Sequence, residues 1–213
     1  MDNGRYVPAE ERNQKLSELW TQQGSEALRS RGLFRVAMDA SGPMLAFLQH
    51  LSRIEWPWSS TEIIPARENR VPASYSTHCG HALYTALYPH QVRIHHWKTE
   101  HIDAVKSAEL QSRSLKSLGD RLKIDLCLLT SEGPNAIGAL RGEALDPHQL
   151  CATYLDPANR NDALALTPWL LQAARCTIIV STGLNPPYPD GEPSPLSAIT
   201  EIETAQIWHH RPL

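Results

Sequence analysis

Six of the ten histidines, His78, His81, His90, His95, His96 and His101, fall within 24 residues, and no other chemistry-bearing residues in this chain are so concentrated. His78 and His81 stand one helical turn apart. His95 and His96 are neighbours in an apolar-alternating stretch, so on a strand they point to opposite faces and only one of them can join a common site. A metal centre needs three or four converging ligands, and HExxH, HxH and CxxC…H spacings are all missing. The cluster therefore reads first as hydrogen-bonded surface imidazoles. No metal ligand is assigned, and a histidine-cluster metal-binding protein is kept as an alternative.

Cys79 is the one candidate nucleophile. It follows the hydroxyl-rich run Ser74-Tyr75-Ser76-Thr77 at the predicted first turn of a helix, where the positive end of the helix and its unpaired amides favour a thiolate. His95 or His96 would serve as its base and Asp125 as the carboxylate orienting that base. The order Cys79, His95 or His96, Asp125 is similar to the cysteine–histidine–aspartate order of transglutaminase-like and papain-like enzymes. That resemblance implies a hydrolase or transferase. The competing reading is a packed, inert thiol.

Cations concentrate further on. Residues 106–123 hold five Lys or Arg and four Ser against two acids, close to the stackable ring of Trp97. Lys98, Lys106, Arg113, Lys116, Arg121 and Lys123 could track a nucleic-acid backbone. They could equally solvate the outer face of an amphipathic helix. Charge is uneven along the chain: residues 1–124 carry 16 Lys or Arg against 13 acids, and residues 125–213 carry 4 against 10. Glycine-rich phosphate loops, a GxSxG elbow and dinucleotide fingerprints are absent, so no cofactor is expected.

The elements that must position these residues follow from periodicity. Leu33–Ala40 alternates as a strand, Ser41-Gly42-Pro43 ends it, and Met44–Ile54 places Met44, Phe47, Leu48 and Leu51 on one helical face. Helices are predicted over 78–88, 102–118 and 162–174, and strands over 92–97, 121–130, 150–155, 176–181 and 199–208. Residues 121–145 read as a β-hairpin turning at Gly133-Pro134-Asn135. The apolar stripe after Pro8 is thin, so residues 1–32 are expected to form a peripheral helix on a single domain spanning 33–213. Hairpins outnumber strand–helix–strand crossovers in this pattern. The fold class expected is α+β, with a mainly antiparallel or mixed sheet and helices on one face. Phe34, Val36, Phe47, Leu51, Leu83, Leu87, Ile124, Leu126, Ile178, Val180 and Ile202 are its expected core.

The chain has 213 residues, 41% hydrophobic and 20% charged, which suits one globular core. Neither a membrane span nor a secretory leader is expected, and four widely spaced cysteines read as reduced thiols of a cytoplasmic protein. The proline-rich stretch 183–195 is too long for a simple turn and reads as a contact or lid element. The functional expectation is a non-catalytic subunit or adaptor of a larger assembly. It would bind other protein subunits and touch RNA or DNA through the basic helix.

Overall fold

The computed structural model describes residues 4–72, 74–75, 78–100, 103–119, 122–131, 149–155, 162–181 and 205–209. Among them, seven strands form one sheet: β1 (Gly4–Tyr6), β2 (Phe34–Met38), β3 (Thr61–Pro65), β5 (Arg93–Ile94), β6 (Leu126–Ser131), β9 (Thr177–Ser181) and β10 (Ala205–His209). Their order is β1-β10-β9-β6-β2-β3-β5, and every neighbouring pair is parallel. A smaller antiparallel sheet joins β4 (Arg67–Asn69), β8 (Asp162–Leu166) and β7 (Cys151–Leu155) in the order β4-β8-β7.

Parallel neighbours need crossovers, and the helices supply them. α2 (Pro43–Leu51) joins β2 to β3, α3 (Cys79–Leu87) lies between β4 and β5, and α4 (Ala104–Lys116) carries the chain from β5 to β6. Phe34, Val36, Met38, Ile63, Leu126, Leu128, Ile178 and Val180 point to one face, where they are buried with Leu16, Trp20 and Ala27 of α1 (Ala9–Arg31) and with α2 and α3. Ala37, Ile64, Cys127, Leu129 and Ile179 point to the other, against α4, the small sheet and α5 (Pro168–Gln172).

The expectation of an α+β fold on a mainly antiparallel or mixed sheet is therefore wrong: this is an α/β architecture on a parallel sheet covered on both faces. The misreading lies at β6. Its run Leu126-Cys127-Leu128-Leu129 is apolar on both faces, the mark of a buried parallel strand, and it pairs with β2 and β9 instead of forming one arm of a hairpin. The supposed second arm, 136–145, lies outside the described residues. Residues 162–174 are not one helix, because Ala163, Leu164, Ala165 and Leu166 are all buried in a strand and α5 starts only at Pro168. Nor is α1 peripheral: Leu16, Trp20 and Ala27 are wholly buried. Every expected core residue among the described residues is buried, and Ile202 lies outside them.

Candidate functional site

The sheet order reverses between β2 and β6: from β2 the chain continues outward through β3 and β5, whereas from β6 it builds β9 and β10 on the opposite side. Such a reversal opens a crevice at the carboxyl ends of the two strands, the usual place for a ligand in an open parallel sheet. Here it is lined by polar groups. Asp39, one residue past β2 and only 1% exposed, accepts hydrogen bonds from the Thr130 amide at 2.8 Å and the Thr130 hydroxyl at 2.9 Å. The Asp39 amide donates to the Leu128 carbonyl at 2.9 Å, so the same residue ties β2 to β6 through backbone and side chain.

Ser41 and Gly42 then turn the chain into α2. Gly42 has φ 49° and ψ −128°, a region that a side chain disfavours, and Pro43 opens the helix without needing an amide hydrogen. Ser41 Oγ lies 3.4 Å from Thr130 Oγ1. On the β3 side, Ala66 passes the chain from the large sheet to the small one: its amide donates to Met38 and its carbonyl accepts from Leu166. That transfer brings Arg67 over the crevice. Its Nη2 donates to Ser41 Oγ at 2.5 Å, and its Nε lies 3.5 Å from Asp39 Oδ1. Burial works against the Arg67 charge, but Asp39 and Tyr154 of β7 favour it and its pKa is raised on balance. Burial likewise pushes the Asp39 carboxyl up, against Arg67 and the two Thr130 donors. The Arg67 side chain keeps 15% of its surface exposed, so a charged guanidinium tied to Asp39 and Ser41 stays partly open to solvent at this end of the sheet.

Glu68 points the other way. It is fully buried, and Oε1 accepts from the amides of Asn69 and Cys79 while Oε2 accepts from that of Gly80. The Glu68 carboxyl group thus fills the amino end of α3 and takes up its first free amides. His78 Nδ1 lies 3.1 Å from Glu68 Oε2 and also accepts from the His81 amide at 3.2 Å. Gly80 leaves room for this packing, since a Cβ there would stand 2.8 Å from His96 Nδ1.

The candidate residues chosen from sequence are scattered. Cys79 is buried, and burial together with Glu68 pushes its thiol up to about 12. His95 faces Glu62, 3.5 Å away, rather than Cys79. Asp125 accepts from Arg31 at 2.5 Å and from the Arg35 amide at 2.9 Å, so it anchors the start of β2. His96 is exposed beside Gly80 and has no carboxylate partner among the described contacts. These residues make no Cys–His–Asp relay. Lys98, Lys106, Arg113, Lys116 and Lys123 are exposed, Lys106 pairs with Glu109 on α4 at 3.3 Å, and Arg121 lies outside the described residues. Among the described residues no group of three or more His, Cys, Asp or Glu side chains could hold a metal. Among the described residues, no helix is long and apolar enough to cross a membrane. Residues 183–195 lie outside the described residues.

Asp39, Ser41, Arg67 and Thr130 were missed by sequence reasoning. The available signal was Asp39-Ala40-Ser41-Gly42-Pro43, an acid and a tight turn between a predicted strand and a predicted helix.

No protein-family model matches the sequence, and no curated protein matches it. Solved structures do resemble it over nearly their whole length. A 6-phosphogluconolactonase from Trypanosoma cruzi superposes with a TM-score of 0.81 at 12% identity, covering 99% of this chain and 94% of that one. The 6-phosphogluconolactonase from Shewanella baltica OS155 gives 0.76 at 15% identity over 98% and 96%. That from Thermotoga maritima gives 0.74 at 14% identity over 97% of each. The likeness establishes the fold. Neighbours that share this architecture end to end are enzymes, which overturns the expectation of a non-catalytic adaptor contacting nucleic acid. The cysteine–histidine hydrolase and the histidine-cluster metal protein do not fit either.

Proposed function

We infer that this chain acts on a phosphorylated sugar lactone, adding water to the lactone carbonyl so that the ring ester bond breaks and a phosphorylated sugar acid is released. The observation that carries the reading is the Arg67–Ser41–Thr130–Asp39 cluster at the β2/β6 switch point of a fold shared end to end with enzymes named 6-phosphogluconolactonases. Arg67 supplies a permanent positive charge for the phosphate, and Ser41 adds a hydroxyl beside it. Cys79 has no part in the chemistry, because a thiol held up at about 12 and buried cannot attack a carbonyl near neutral pH. The four cysteines are free, in keeping with a reducing compartment such as the cytoplasm.

The test is hydrolysis of 6-phosphogluconolactone above its spontaneous ring opening, followed by acid release, with unphosphorylated gluconolactone in parallel. Catalysis of the phosphorylated lactone alone, inhibited by 6-phosphogluconate, supports the reading. A rate equal to the spontaneous one, with no detectable binding of 6-phosphogluconate, overturns it.

A further inference from the structure

The cation at the crevice is held by a second charge that solvent does not reach, and the geometry of the pair has a consequence for binding. Arg67 crosses from the small sheet, while Asp39 belongs to the large one. Asp39 is itself immobilised, since Thr130 donates to Oδ2 through both its amide and its hydroxyl. This leaves Oδ1 to face Arg67 Nε at 3.5 Å, an ion pair without hydrogen-bond geometry. Nη2 shares the Nε edge of the planar guanidinium, so the pull of the Asp39 charge on that edge and a hydrogen bond from Nη2 draw the group the same way. Arg67 Nη2 duly reaches Ser41 Oγ, at the turn into α2.

We propose that Asp39 is a positioning residue, whose buried charge holds the Nε/Nη2 edge of Arg67 against Ser41 Oγ so that the guanidinium and the Ser41 hydroxyl present a two-pronged contact to the substrate's phosphate. This rests on the proposed function for the identity of the anion. The division of labour is specific: Thr130 orients Asp39, Asp39 orients Arg67, and only Arg67 and Ser41 meet the ligand. A lysine at 67 keeps the charge but has no planar edge to share between Asp39 and Ser41, so Asp39 has nothing to orient there.

The test is a double-mutant cycle on the full chain, reading binding of 6-phosphogluconate and of inorganic phosphate by calorimetry, with KM and kcat wherever turnover is present. Asp39→Asn keeps an acceptor for Thr130 and removes the charge; it is expected to weaken 6-phosphogluconate binding about tenfold and to raise KM while kcat changes little. Arg67→Lys is expected to weaken binding by at least as much, and Asp39→Asn added to Arg67→Lys should cost nothing further. Additive losses overturn the proposal, because they mean that Asp39 acts through β6 packing and not through Arg67. Unchanged affinity in a folded Asp39→Asn protein overturns it too. Should Asp39→Asn fail to fold, Thr130→Val takes its place in the cycle and must show the same dependence on Arg67. A wild-type chain that binds neither 6-phosphogluconate nor phosphate fails the proposed function itself, a result distinct from a wild-type chain that binds while the cycle is additive.

Discussion

Glu68 Oε2 lies 3.1 Å from His78 Nδ1, and both side chains are shut away from solvent. Nδ1 already accepts from the His81 amide, so in the neutral ring it carries no hydrogen. A carboxylate and a bare ring nitrogen would repel at this distance, so a proton belongs between them, on the Glu68 carboxyl. Burial accounts for its staying there: it pushes Glu68 up to about 7, against the amides of Gly80, Cys79 and Asn69 and the charge of Arg67. Burial holds His78 low, helped by His96 and His81.

The sign of the resulting pH dependence follows. Unfolded Glu68 loses its proton near 4.5 and folded Glu68 near 7, so the folded chain holds the extra proton in that window. Its contribution to stability is complete below about 4.5 and is lost as pH rises through 7. His78, held below its ordinary 6.5, acts oppositely and loses stability as pH falls. Glu68→Gln should therefore make stability at pH 8, relative to pH 5, more favourable than in the wild type. The change should be at most about 3 kcal/mol, at about 1.4 kcal/mol per tenfold change in proton affinity. Urea unfolding at the two pH values measures it, and parallel pH profiles for the two proteins would sink the proton assignment.

The thiols should rank by exposure rather than by helix position. Cys79, Cys127 and Cys151 are buried and Cys176 is half-buried. Burial raises all four, Cys79 to about 12. With iodoacetamide near pH 7, the folded protein should be modified first at Cys176 and only slowly at the rest. Peptide mapping over a time course reads this directly. Preferential labelling of Cys79 would show that its environment is not the one described.

These results mark where local pattern is informative and where it is not. The alternation of Phe34, Val36 and Met38 and the helical face of Met44, Phe47, Leu48 and Leu51 are written in neighbouring residues, and β2 and α2 form where they were predicted. Strand partners are not local. β6 lies between β2 and β9, separated from them in sequence by dozens of residues, and only its apolar character on both faces hinted at parallel pairing. The site was harder still. Arg67 and Glu68 sit in a stretch that Pro57, Pro65 and Pro72 made look irregular, yet β3 and β4 run through it, with Pro65 ending one and Arg67 opening the other. Asp39 and Thr130 are 91 residues apart, and nothing in either neighbourhood announces the other.

Glycine at position 24 should resist replacement by alanine, although alanine is the better helix former by about 1 kcal/mol. A Cβ there would stand 2.5 Å from two atoms of the Trp56 ring and 3.0 Å from Phe34 Cδ1. Trp56 cannot easily retreat. Its Nε1 donates to Thr61 Oγ1 at 2.9 Å, and its ring packs on Phe34 and Trp20 at centroid distances of 5.8 and 6.1 Å. Overpacking should outweigh propensity, leaving Gly24→Ala destabilised by about 1–2 kcal/mol in urea titration. A net gain in stability would mean that the Trp56 contact is looser than described.

The last prediction concerns α1, which its sparse apolar stripe made look dispensable. Trp20 lies at the centre of an aromatic cluster, with ring centroids 5.0 Å from Phe34, 5.9 Å from Trp58, 6.1 Å from Trp56 and 6.5 Å from Phe47. Polar ties add to it: Arg31 pairs with Asp125, and Glu26 with Arg175. The exposed pair between Glu26 and Arg175 should matter little, whereas Asp125 is buried and would be left without its cation. Truncating a fully buried tryptophan costs about 3–5 kcal/mol, against a total stability of about 5–15 kcal/mol for an ordinary domain. Trp20→Ala should thus be folded but much weakened, and Trp20→Phe, which keeps an aromatic ring in the cluster, should lose clearly less. A chain beginning at residue 33 loses Leu16, Trp20, Ala27 and Arg31 together, uncovers one face of the parallel sheet, and should not unfold cooperatively at all. Circular dichroism through a denaturant series distinguishes the outcomes. A sharp transition in the truncated chain would mean that the sheet closes its core without α1.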